Sequence, residues 1–103
     1  MKKKNLEKDI QKSILEYLSY KGYFHWRNNT GFMANPQGHF YHFGTVGSPD
    51  IFVLHKGKLY GLEVKTLTGK QSDGQIEFQK KMEKHGGIYK VVTSIDEVAD
   101  LGL

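Results

Sequence analysis

Two acids and a lysine near the middle of the chain, Asp50, Glu63 and Lys65, bracket a pair of continuous apolar runs, Ile51-Phe52-Val53-Leu54 and Leu59-Tyr60-Gly61-Leu62-Glu63-Val64. Between the runs stands His55-Lys56-Gly57-Lys58, which predicts a hairpin of central strands covered on both faces. With a two-residue turn at Lys56-Gly57, facing residues have numbers that sum to 113, and Asp50 falls opposite Glu63. Cross-strand partners on one face hold their Cβ atoms about 4.5 to 5.5 Å apart, so both carboxylates can hold one cation. Glu63 and Lys65, two apart, point to the same side. A hard, oxygen-ligated metal in that position polarises a phosphate oxygen and acidifies water, while Lys65 offers positive charge to the nucleophile or transition state. This is chemistry for breaking a phosphodiester bond. A longer turn or a bulge would offset Asp50 from Glu63 and leave both at the same end of the sheet. The competing reading is an exposed salt bridge at a strand end. Against it, Glu63 interrupts an apolar run, where an unpartnered carboxylate is costly.

The elements that must carry these residues follow from periodicity. From Leu6 to Lys21, apolar residues recur at helical spacing (Leu6, Ile10, Ile14, Tyr17, Leu18), with Asn5 as the expected N-cap and Gly22 as the stop. Tyr23 to Arg27 reads as a strand by its aromatic content, broken by Asn28-Asn29-Thr30-Gly31. Phe32 to Gly47 reads as an irregular, extended or weakly paired loop around Phe40-Tyr41-His42-Phe43. After the hairpin, the polar loop Gly69 to Gly74 leads to a second helix from Gln75 to His85, with Ile76, Phe78 and Met82 inward and Gly86-Gly87 ending it. Ile88 to Val92 is a final strand, and a short helix begins near Ile95. The order α, β, β, β, α, β, α implies a single α/β domain over residues 1–103, a mixed central sheet flanked by helices.

Composition narrows the partners. At 103 residues the chain has room for one core. With 38% hydrophobic residues, 13% aromatics and two prolines, packing is expected rather than disorder. The absence of cysteine removes disulfides, thiolate zinc sites and thiol nucleophiles together, and suits a cytosolic setting. Met1-Lys2-Lys3-Lys4 is followed by polar residues rather than the apolar stretch of a signal peptide, and no run is long enough to span a bilayer, so no membrane role is expected. A net charge of +4 favours a polyanionic partner, since Lys and Arg displace counterions from phosphate backbones.

Taken in order, Glu7-x-x-Ile10-Gln11, Arg27-Asn28, Gly47-Ser48-Pro49-Asp50, Glu63-Val64-Lys65, Gln75 opening a helix and the Gly86-Gly87 turn resemble the VRR-NUC branch of the PD-(D/E)XK nucleases over nearly the whole chain. The resemblance implies a restriction-endonuclease-like PD-(D/E)XK core and a metal-dependent endodeoxyribonuclease using Mg²⁺ or Mn²⁺ and no small-molecule cofactor. It implies Asp50 and Glu63 as metal ligands with the Val64 backbone carbonyl, Lys65 as catalytic lysine, and Glu7 and Gln75 as supporting site residues, Glu7 also as a candidate ligand. Stand-alone members of this kind are similar to phage-encoded enzymes that act as homodimers on branched DNA such as Holliday junctions. Rivals on the same fold are a non-catalytic nucleic-acid-binding module, which the intact Asp50, Glu63 and Lys65 argue against, and a restriction-type enzyme reading base sequence, which needs recognition elements a chain this short can hardly supply.

Periodicity tests two of these assignments. Glu7, Gln11, Ile14 and Leu18 form one line along the first helix, which puts Glu7 at the border of the buried stripe, although an acid in a first turn is also favoured by the helix dipole. Gln75 shares a face with Phe78 and Met82, yet Ser72-Asp73-Gly74-Gln75 is also an S-x-x-Q capping box, and one amide cannot fully serve both. Arg27, Asn28 and Lys70 are candidate contacts to a nucleic-acid backbone, as are Asn29, Thr30, Lys56 and Lys58. The five histidines show no zinc-type spacing beyond His39-x-x-His42. Removing either clustered acid is expected to hold or raise the stability of the metal-free protein by relieving repulsion.

Overall fold

Regular structure begins with α1 (Lys3–Lys21), followed by β1 (Phe24–Arg27), the hairpin of β2 (Gly31–Ala34) and β3 (Phe40–Phe43), the longer hairpin of β4 (Ile51–His55) and β5 (Lys58–Val64), α2 (Asp73–Lys84), β6 (Ile88–Val92) and α3 (Ile95–Ala99). This computed structural model describes residues 3–103, with side chains from residue 6 onward other than Phe32 and Phe43. α1 starts before the expected Leu6, so Asn5 lies within the helix and not at its cap. The segment read as irregular contains a paired β2–β3 ribbon, with Gly31 opposite Phe43 and Ala34 opposite Phe40. Asn35 closes it, its side-chain Oδ1 accepting from the backbone N–H groups of Gln37 and His39 at 3.0 and 2.9 Å, a side-chain-built turn that no hydrophobic period announces.

The main sheet has the order β1-β4-β5-β6. Lys56 and Gly57 both stand at positive φ, 52° and 79°, as a two-residue type I′ turn demands. The strands they join pair antiparallel from Ile51 opposite Leu62 to His55 opposite Lys58, the register the turn predicts. β6 returns parallel to β5 after α2, with Gly61 opposite Tyr89 and Glu63 opposite Val91.

Strand alternation divides the sheet's two faces. Ile51, Val53, Leu62, Val64 and Val92 turn toward α1 and α3, where Ile14, Leu18, Val98 and Leu103 complete the core. Each such side chain contributes about 1.5–3 kcal/mol by leaving water. The other face carries Gly61, Glu63 and Tyr89, and α2 lies over it, with the Phe78 and Tyr89 ring centroids 6.2 Å apart. A Cβ at Gly61 would stand 2.6 Å from Pro49 Cγ and 3.2 Å from Met82 Sδ, so the absent side chain is what lets loop and helix close on the strand.

The inward set expected for α2 needs correction. Ile76 is exposed, and no residue of the helix is fully buried. The helix touches β6 and leaves the outer strands bare on that face. Phe24, Trp26 and Leu54 are exposed there, with Trp26 resting 5.5 Å from Phe52 and 5.6 Å from Phe24. Cover on both faces therefore holds for β5 and fails for the outer half of β4. Among the described residues no helix is long and apolar enough to cross a membrane.

Candidate active site

Asp50 is the last residue before β4, and the pairing that joins Ile51 to Leu62 carries one step further to set it against Glu63. Its Oδ2 accepts a hydrogen bond from the Val64 N–H at 2.8 Å, so a side chain takes the place of a strand carbonyl at the end of the ladder. The loop that delivers Asp50 is braced from β1. Asn28 Nδ2 donates to Ser48 Oγ at 2.7 Å and to the Pro49 carbonyl at 2.9 Å, and the Asn28 N–H donates to the Asp50 carbonyl at 2.7 Å. On its other side the loop meets the start of α2 at Gly47, which has φ 80°; a Cβ there would lie 2.1 Å from the Gly74 carbonyl oxygen.

Glu63 is 4% exposed, the one buried charged residue of the described chain. Burial first, then the charge and hydrogen bond of Asp50, push its pKa from 4.5 up to about 8, with Glu7 adding to the rise and Lys65 opposing it. Lys65 Nζ stands 3.8 Å from Glu63 Oε2, and the lysine side chain is itself largely sheltered. The Tyr89 phenol is held above its ordinary pKa by burial and then by the Glu63 charge, with the Gln71 side chain opposing the rise. Its hydroxyl also points to the Gly47 carbonyl at 3.5 Å.

The donor set fits a divalent hard cation. Two carboxylates converge at one strand end, one of them so poorly compensated that it favours holding a proton, which is the condition a cation relieves. Asp50 and Glu63 would hold the ion. Among the described residues no group of three His, Cys, Asp or Glu side chains converges within metal-holding reach, so backbone, water or substrate oxygens would have to complete the shell.

Of the other sequence candidates, Glu7 lines a small cavity with Lys8, Gln11 and Asp50, at the site edge that periodicity indicated. Gln75 forms the capping box in both directions: its N–H donates to Ser72 Oγ at 3.2 Å, and its Oε1 accepts from the Ser72 N–H at 2.9 Å. Gln71, not Gln75, is the glutamine whose side chain lowers the Tyr89 phenol pKa against burial and the Glu63 charge. Gln71 is fixed to α2 through Nε2, which donates to Gln79 Oε1 at 2.8 Å. Both N–H bonds of the Asn28 amide are spent on the Asp50 loop, so its place is a brace rather than a free donor. Arg27 is exposed with Nε on Asn29 Oδ1 at 3.2 Å, and Lys70 is exposed in the loop before α2. Tyr89 and Gln71 were not among the sequence candidates; the available signal was a tyrosine in an apolar strand, whose hydroxyl needs a polar partner once buried.

No family model and no curated protein matches the chain. A solved structure described as a "VRR_NUC domain" superposes with a TM-score of 0.65 at 22% identity, covering 93% of this chain and 92% of that one. The chain is thus a mixed α/β protein with a central mixed sheet flanked by helices, of PD-(D/E)XK-like architecture. More particularly, its fold is that of the VRR_NUC domain, and the resemblance read from the motifs is borne out in the fold.

Proposed function

We propose that the chain is a metal-dependent DNA endonuclease in which Asp50 and Glu63, with the Val64 carbonyl, hold Mg²⁺ or Mn²⁺, and Lys65 acts on the reacting phosphate. The observation that carries this reading is the pairing of a buried carboxylate pushed up to about pKa 8 with a second acid across the strand and a sheltered lysine 3.8 Å away. A cation bound there would polarise the scissile phosphate and make water a better nucleophile. The protein's own part is placement. Val64 N–H fixes one Asp50 oxygen, Asn28 holds the loop behind it, and burial keeps water from most of Glu63 and from its neighbour Tyr89. Lys65 places its ammonium where it can neutralise charge on the phosphate as the bond breaks.

The preferred substrate in this reading is branched DNA, cut by a homodimer whose two sites match the two-fold symmetry of a four-way junction. The open face of Phe24, Trp26 and Leu54, together with Met33, Phe40 and Tyr41 on the β2–β3 ribbon, gives such a dimer apolar surface to bury. The test is cleavage of junction and linear duplexes by the wild-type chain and by Asp50→Ala, Glu63→Ala and Lys65→Ala. Activity should require Mg²⁺ or Mn²⁺, fall silent in EDTA, be poorly supported by Ca²⁺, and disappear in each variant. Substantial cutting by any of the three, or full activity in EDTA, rejects the site; equal rates on junction and linear DNA reject the branched-DNA preference alone.

A further inference from the structure

Asp50 stands against Glu63 at the strand end and lines a cavity with Glu7, so a polyanion arriving there is repelled unless something beside the site offsets these acids. The face of α1 toward β1 does so. Lys8, Gln11, Lys12 and Leu15 share one arc of that helix, and with Arg27 they line a groove of about 430 Å³. No acidic residue lines it. The adjoining cavity of about 260 Å³, lined by Glu7, Lys8, Gln11 and Asp50, has Lys8 and Gln11 in common with it, so one channel runs from Asp50 to Arg27. Arg27 pairs with Ile51, the residue after Asp50, across a single strand spacing of about 4.8 Å. Asp9 of the same helix turns the other way, toward a pocket shared with Ser94 and Asp96 at the start of α3; Glu16, four residues after Lys12 and its neighbour on the helix surface, is outside the lining of the groove.

We infer that Lys8, Gln11, Lys12 and Arg27 form a track for the DNA phosphate backbone, which leads one strand along α1 into the Asp50–Glu63 site. The inference rests on the nuclease reading for its direction, and on the groove alone for its binding. Lys8, Lys12 and Arg27 are all exposed, as counterion-displacing contacts must be. Gln11 sits at the junction of the two cavities, where an uncharged amide can donate to a phosphate oxygen without competing for the metal.

The test measures binding of a fluorescent DNA duplex to the Glu63→Gln protein in EDTA as a function of salt. On that background, Lys8→Ala/Lys12→Ala/Arg27→Ala should lower the slope of log K against log salt by about 2 to 3, at roughly 0.9 per lost phosphate contact. The equally charged control Lys80→Ala/Lys84→Ala/Lys90→Ala, at exposed positions of α2 and β6, should change it by less than about 1. A Lys8→Gln/Lys12→Gln pair, which keeps helix propensity, should lower it by about 2 and guards against loss of folding. An unchanged slope in the track variants, or equal losses in track and control, overturns the track. Cleavage by the wild-type chain with Mn²⁺ is scored separately. Salt slopes as expected with no cleavage would uphold the track and reject the nuclease reading, and cleavage without the slope difference would do the reverse.

Discussion

Replacing Glu63 by Gln should stabilise the metal-free protein at alkaline pH and leave it nearly unchanged in mild acid. Glutamine has the shape of a protonated glutamate and never ionises. In the folded wild-type chain the group holds its proton up to about pH 8, whereas in the unfolded chain it loses it near 4.5. Between those values the folded state binds one more proton than the unfolded state, so stability falls as pH rises, by about 1.4 kcal/mol per pH unit, and levels off above pH 8. The full interval is worth at most about 5 kcal/mol, a large part of the stability of a domain this size. Urea unfolding of both proteins in EDTA, at about pH 5 and about pH 8.5, measures it, because the histidines and other acids cancel in the difference. The variant should gain several kcal/mol on the wild type between the two pH values. Mn²⁺ at the higher pH should restore the wild type and not the variant. A difference that stays constant with pH would mean that Glu63 ionises freely in the fold, and the argument for a cation between the two acids would go with it.

Asp50→Ala should behave differently, because it orphans the Val64 N–H as well as relieving repulsion; in EDTA it should lose about 1–3 kcal/mol relative to Asp50→Asn, which keeps an acceptor. The structure thereby separates two acids that the sequence treats alike. Gly47→Ala should cost well over 2 kcal/mol and reduce cleavage, since a Cβ would drive the Asp50 loop off α2, while Gly86→Ala, also at positive φ but in open space, should cost only about 1 kcal/mol. Lys56→Asn should stabilise by about 0.5–1 kcal/mol in chemical denaturation by easing the positive φ of the turn. The proposed dimer should appear in light scattering at micromolar concentration and dissociate in Trp26→Glu; a monomeric wild type would refute it.

Much of the candidate site's geometry was legible because it lies in a hairpin whose turn fixes its register. Lys56-Gly57 determines the pairing, the pairing places Asp50 against Glu63, and strand parity brings in Lys65. Helix periodicity likewise placed Glu7 at the edge of the site. Residues arriving from distant parts of the chain were less visible. Tyr89 comes through the parallel return of β6, Asn28 acts through three hydrogen bonds to a loop 20 residues away, and Gln71 is held by Gln79. The β2–β3 ribbon escaped because, among its described side chains, none is buried and no alternation is imposed. For α2, the amphipathic pattern suggested a core helix, but Ile76 is exposed and no residue of the helix is fully buried.

The amide of Val64 has an unusual station: it belongs to the sheet by position, but its proton is held by the Asp50 carboxylate. That makes it a gauge built into the backbone. Its nitrogen and proton resonances will follow the movement of the Asp50 side chain, and its exchange with solvent deuterium will follow the opening of the loop through Gly47. A single assigned signal thus lets the carboxylate end of the candidate site be followed by magnetic resonance in a chain of unchanged sequence, without substrate or turnover.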